Sequence, residues 1–167
     1  MTLFDGDTGE PIHPTVTGPV ASALGPDGTV FGGSGTRIVR YDKELQPVNA
    51  ISVARVGVAS LQLSADGSVL LSSSADQTVS LFDAATGTRL GTSITVHAPL
   101  ITPGFVRPDG MEAAVTGRHG VLLWDLNPNH LADYACTLAG RNLTAEEWRT
   151  HLAAIGERRE TCEEFSD

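Results

Sequence analysis

The residues able to do chemistry are few, and each has a plainer use. Asp5-Gly6-Asp7-Thr8-Gly9 has the opening of a calcium loop, in which alternating oxygen ligands hold a hard cation. The full pattern needs a glutamate at its twelfth position, where this chain has Val16. The segment reads instead as a turn connecting strands. His13, His97, His119, His130 and His151 show no i, i+4 or Cys/His clustering and read as turn, packing or surface residues rather than metal ligands. Ser72, Ser73 and Ser74 lie on an expected strand, without the glycine-flanked elbow that exposes a nucleophile. Glu112, Arg118 and His119 fall near loops with nothing pairing them as acid and base. No Gly-rich phosphate loop ending in Lys-Ser or Lys-Thr occurs, so ATP hydrolysis is not expected in this segment. Cys136 and Cys162 lie outside any Cys-x-x-Cys pair and read as two thiols in a reducing compartment; a disulfide pinning the tail is the alternative. The expectation is no catalytic, cofactor-binding or metal-binding residue.

Composition agrees. Among 167 residues, 41% hydrophobic content is globular, and 18 glycines with 9 prolines are the punctuation of a chain with many turns. The net charge is −9, shared between residues 1–126 (7 basic, 12 acidic) and the remainder (4 basic, 8 acidic). Neither part offers the basic footprint that phosphate contacts require, so nucleic acid is not an expected partner. The absence of a long apolar run and of a basic, apolar leader points to a soluble, cytoplasmic protein away from membranes.

What positions these residues is a repeat. Three Asp-Gly turns carry Asp27, Asp66 and Asp109, spaced by 39 and 43 residues. The aspartates that close apolar runs, Asp5, Asp42, Asp83 and Asp125, are spaced by 37, 41 and 42. Two independent marks thus share one period, and units of roughly 40–45 residues with four short strands each are propeller blades. Alternating valine, leucine, isoleucine and threonine runs predict strands near 20–25, 29–33, 36–42 and 47–54. The middle unit offers VASLQLS, SVLLSSS, TVSLFD and RLGTSITV, and the third offers strands near 100–106, 111–117 and 120–126. Pro103 suits only an edge strand, which the first strand of a blade is.

Residues 1–126 resemble the WD-repeat β-propeller family. LLWDL at 122–126 is the nearest match to its namesake dipeptide; LFDGDTG and LFDAATG carry phenylalanine there, and VRYDKEL tyrosine. Blades of that family often hold a buried network of histidine, serine or threonine, aspartate and tryptophan, which satisfies polar groups beneath the blade. The resemblance implies a partial network here. Ser72, Asp76 and Phe82 match in the middle blade, with Ala54 at the histidine position. His97 and Trp124 match in the third, with Ala114 and Arg118 in place of serine and aspartate. The first blade has Thr15, Phe31, Gly35 and Tyr41 and keeps none.

Beyond Leu126 the alternation stops. Asn127 or Asn129 can cap a helix over about 129–139, closed by Gly140, with Leu131, Ala135 and Leu138 on one face. Thr144 and Glu147 have capping-box spacing for a second helix over about 145–155, with Trp148, Leu152 and Ile155 as its buried stripe. Residues 157–167 read as irregular and frayed. The two helices would act as a cap, since short helices need apolar surface to cover. YACTLAGRNLTAEEW is similar to the tail that follows WD repeats in large actinobacterial signalling proteins, on Arg141, Asn142, Leu143, Thr144 and Trp148. Those proteins couple a C-terminal propeller to an upstream STAND-type ATPase or DNA-binding module, so the resemblance implies a natural C-terminus.

The expected fold is mainly β: a partial β-propeller of about three and a half four-stranded antiparallel blades over 1–126, then a two-helix C-terminal tail over 127–167. The order should be an orphan hairpin from residues 2–16, two full blades and a three-stranded blade. The expected function is a non-catalytic interaction scaffold or sensor whose partners are proteins, including itself or a chain supplying missing blades. A remnant or split piece of a larger signalling protein is one alternative. A propeller-borne hydrolase or dehydrogenase is another, disfavoured because VASAL, VASLQL and LITPGF bring no charged residue or histidine to the channel.

Overall fold

The computed structural model describes residues 1–13, 15–53, 56–97 and 104–165. Ala54, Pro103 and the expected strand start at 100–103 lie outside the described residues, as does the side chain of Ile155. Two compact units form, Met1–Trp124 and Asp125–Asp167.

In the first unit, β1 (Ala21–Leu24), β2 (Val30–Ser34), β3 (Arg37–Tyr41) and β4 (Pro47–Ser52) make one antiparallel sheet in sequential order. A second sheet follows the same order with β5 (Val58–Leu63), β6 (Val69–Ser74), β7 (Thr78–Asp83) and β8 (Arg89–Thr95). The third has three strands, β9 (Gly104–Val106), β10 (Glu112–Gly117) and β11 (Gly120–Asp125), with β11 outermost. The Asp-Gly turns join the first two strands of each sheet. Gly28, Gly67 and Gly110 there all take positive φ, which glycine adopts without a Cβ clash. Ahead of the blades lies the hairpin expected from the sequence. It is closed by the Phe4–Pro11 bridge and by backbone bonds from Ile12 N to Leu3 O and from Val16 N to Met1 O, both 2.9 Å.

Alternation along the strands decides what each sheet buries. Phe31 and Ile38 of the first sheet pack on Val58, Leu61, Leu63, Leu70 and Phe82 of the second, with Ala21, Ala23 and Ile51 at the margin. The opposite face of the first sheet presents Val30 and Tyr41, with Leu45 beside them, to Met1, Leu3 and Val16 of the hairpin. The hairpin therefore stands where a preceding blade would stand. Between the second and third sheets Gly104 lies against the Leu71 side chain. A Cβ at Gly104 would lie 2.6 Å from Leu71 Cδ2, so Leu71 would have to shift to admit one.

In the second unit, α1 (Pro128–Ala139) is capped by Asn127, whose side chain accepts from Asn129 N, with proline at the first helical position. Gly140, at φ 63°, ends it in the left-handed conformation. The helix buries no residue, and Leu131, Tyr134 and Leu138 are exposed. α2 (Ala145–His151) has the expected capping box but ends four residues earlier than the spacing predicts, in a 3-10 turn at Ala153–Ile155. The tightened chain and Gly156, at φ 122°, bring the Gly156 carbonyl within 2.9 Å of Trp148 Nε1. Trp148 is buried and Leu152 half-buried.

Two expectations for the tail are corrected. Cys136 and Cys162 are not free thiols but a disulfide, with Cα atoms 5.5 Å apart. Residues 157–165 are not frayed. They include a 3-10 turn at Glu163–Phe165 and are fastened to the α1–α2 connection by side-chain amide bonds that hydropathy patterning cannot register.

Candidate interaction surface

The polar groups of the blades are occupied in holding turns. Asp5 Oδ1 accepts from Asp7 N (3.0 Å), Thr8 N (2.7 Å) and Thr8 Oγ1 (3.0 Å), which is the turn reading of the would-be calcium segment. Asp83 does the same with Thr86 N and Oγ1, both at 2.7 Å, and Asp27 with Thr29 N (3.0 Å) and Oγ1 (2.7 Å). Asp66 is held by Ser68 and Asp76 by Thr78. Asp109 accepts from Arg107 Nε (2.8 Å) and Met111 N (3.0 Å). Hydrogen bonds to the ionised form hold all six carboxyls below the ordinary range, those from Thr8, Thr29, Ser64 with Ser68, Thr78, Thr86 and Arg107 respectively being the main cause. No cluster of three or more His, Cys, Asp or Glu that could hold a metal ion occurs among the described residues.

By sequence, Ser72 and Asp76 match network positions in the second blade, and His97 and Trp124 in the third. Ser72 is buried on β6 between Leu61 and Ser80, while Asp76 caps the β6–β7 turn. His97 is exposed and Trp124 half-buried. No hydrogen bond joins any two of the four among the described residues. Strand register also moves the comparison between blades. Counted from Asp27, Asp66 and Asp109, the equivalents of Ser72 are Gly33 and Val115, paired with Ala21 and Gly104, rather than Phe31 and Ala114. A serine ladder stands in place of a shared network: Ser60 bonds Ser73, Ser80 Oγ meets Ser93 Oγ at 2.7 Å, and Ser74 Oγ donates to Val56 O at 3.0 Å. Ser72–Ser74 are thus buried sheet residues with no exposed nucleophile.

Exposed apolar surface concentrates where blade stacking stops. On the third sheet Phe105 is 58% exposed, Val121 63% and Leu123 60%. Val121 and Leu123 alternate onto one face of β11, and that strand has β10 as its sole sheet partner among the described residues. In the complete second blade the corresponding strand β7 is covered by β8, through the pairs Leu81–Leu90 and Val79–Ile94. β11 is the same kind of strand without its cover. At the other end of the unit, Phe4 and Ile12 of the hairpin are exposed. A cavity of about 340 Å³ lined by His97, Arg118, His119 and Val121 lies beside the β10–β11 turn. Its lining has no acid–base pair.

This geometry, with blades in sequential order stacked face to face, decides the architecture. The fold is an open, partial β-propeller. It is similar to the β-propeller domain of Myceliophteria thermophila Cps50 (Swd1), with a TM-score of 0.58 and 19% identity over 68% of this chain and 36% of that one. It is also similar to Kluyveromyces lactis Hsv2, with a TM-score of 0.61 and 13% identity over 75% of this chain and 43% of that one. The chain therefore spans less than half the length of these propellers. No family model and no curated protein matches the sequence.

In the tail, Arg141, Asn142, Leu143, Thr144 and Trp148 each make hydrogen bonds within the second unit. Arg141 grips Glu147 through two bonds of 2.8 and 2.7 Å, and Glu147 Oε2 accepts from Thr144 N at 2.8 Å. Arg141, then Thr144, hold the Glu147 carboxyl far below the ordinary range. Asn142 Oδ1 accepts from Thr161 N (2.9 Å) and Cys162 N (2.8 Å), and its Nδ2 donates to Phe165 O (2.9 Å). Leu143 O accepts from Arg158 Nε at 3.0 Å. Sequence reasoning selected these residues by resemblance; the amide bridge of Asn142 has no signature in spacing.

Proposed function

We propose that the chain is a non-catalytic interaction module that binds protein partners through the open end of its blade stack. One observation carries the reading. Among the described residues, Gly120–Trp124 of β11 have β10 as their sole sheet partner and expose Val121 and Leu123, whereas the equivalent Val79 and Leu81 of β7 are buried and paired with β8. Edges and patches of this kind mark interfaces. The partner that fits is an extended strand, added antiparallel as the fourth strand of the third blade.

A second copy is one source of that strand. Thr2–Asp5 and β11 hold the same blade position, since Asp5 and Asp125 close equivalent runs, so whole hairpins cannot simply be added. The hairpin segment carrying Pro11, Ile12 and Val16 would take the outer position on the partner's β11 while its own first strand gives way. Two copies joined twice in this way make a ring of about six blades, within the four to eight of closed propellers. A separate polypeptide contributing whole blades is the other source, and likeness of the tail to that of multidomain signalling proteins favours it.

The test is Val121→Lys with Leu123→Lys, followed by sedimentation velocity. Loss of assembly with an unchanged circular dichroism spectrum is the expected result; assembly that persists would overturn the edge as the contact. The enzyme reading is tested by esterase and dehydrogenase screens with metal analysis. Turnover with stoichiometric metal would overturn the non-catalytic reading.

A further inference from the structure

We propose that the tail is a thiol-controlled switch in which the Cys136–Cys162 disulfide holds α1 and little else does. The two ends of this bridge are fastened very differently. Cys162 is buried and sits in a segment also held by Asn142, which bonds Thr161 N, Cys162 N and O, and Phe165 O. That segment is further tied by Arg158 to Leu143 O and, through Gly156 O, to Trp148 Nε1. α1 has no such redundancy. Among the described residues it buries no side chain, and apart from the backbone itself and the His130–Asp125 pair at its first turn (2.7 Å) it is tied by Cys136, 26 residues from its partner.

Access matches this asymmetry. Both cysteines line an open groove of about 590 Å³, with Asp133 and Thr137 of α1 on one side and Thr161 and Glu163 on the other, but Cys136 is half-buried where Cys162 is buried. A thiolate of a dithiol reductant entering the groove can attack Cys136 Sγ, forming a mixed disulfide and releasing the Cys162 thiolate, which takes a proton. The second thiol of the reductant then displaces Cys136. The net exchange converts one protein disulfide and one dithiol into two protein thiols and one oxidised reductant, with two electrons passed to the protein. What remains of α1 is a 12-residue helix with no buried residue among those described and an exposed His130–Asp125 pair at its first turn, a length marginal in water. Reduction therefore frees α1 while α2 and residues 157–165 stay locked.

The experiment is hydrogen exchange on the full chain, comparing air-oxidised protein, the same protein in dithiothreitol, and Cys136→Ser. Protection of residues 128–139 should fall on the order of a hundredfold on reduction, the scale of a typical disulfide. Protection of 145–165 should be retained, and Cys136→Ser should match the reduced wild type with or without reductant. Re-oxidation of the wild type should restore α1, which separates switching from misfolding of the variant. Equal α1 protection in both redox states would overturn the proposal, as would loss of the whole tail together, or thiols that stay free for maleimide labelling after oxidant treatment.

Discussion

Six aspartates of the repeat serve as clasps for turns. Asp5, Asp27, Asp66, Asp76, Asp83 and Asp109 all accept bonds in their ionised form, so their carboxyls are held below the ordinary range. Groups shifted this way contribute stability that is present above the unfolded value and lost as pH falls through the folded one. The urea midpoint should be flat from neutral pH to about 5 and fall below about 4. A variant combining Asp27→Asn, Asp66→Asn and Asp83→Asn should lose less over that interval; parallel acid profiles would contradict the role. Burial also settles the ranking of the two aromatics that close equivalent strands. Tryptophan's greater area, together with packing of the third blade under the helical tail, would make Trp124 the costlier residue to truncate, but Phe82 is 2% exposed and Trp124 is half-buried. Phe82→Ala should cost about 3–5 kcal/mol and Trp124→Ala less, read from denaturation midpoints. The turn aspartates were legible because Asp-Gly and Asp-x-x-Thr spacings are local chemistry. Ser72 and its blade equivalents were not, because register depends on pairing between strands.

At the scale of elements, eleven strands and two helices among the described residues fall where alternation, turns and caps place them, with ends shifted by a residue or two at most strands. The larger misses are tertiary. α2 stops at His151 because Trp148 bonds Gly156, and residues 157–165 are ordered because Asn142 and the disulfide reach them across the sequence. The blade contacts were likewise invisible one strand at a time. A Cβ at Gly33 would lie 2.6 Å from Val58 Cγ1 and 3.1 Å from its Cβ, and a β-branched neighbour has little freedom to yield. Gly33→Ala should therefore destabilise the unit by about 1–3 kcal/mol, although alanine is the better strand residue in isolation. Thermal unfolding decides it: an unchanged or raised midpoint would show that blades one and two are less closely seated.

For the whole molecule, periodicity foretold an incomplete ring: two complete blades, three strands of a third and a hairpin standing in for a fourth. What periodicity cannot supply is the partner, since the identity of a covering strand is written in another surface. The open stack leaves Phe105, Val121 and Leu123 exposed at one end and Phe4 and Ile12 at the other. Repeat units depend on neighbours for burial, so these faces should be covered in solution. Light scattering of the purified chain over a concentration series tests this most directly. The expected result is a mass that rises above 17.5 kDa with concentration, toward a discrete dimer or larger closed assembly. A monodisperse, stable 17.5 kDa species at every concentration would contradict an interaction module built on an open blade stack.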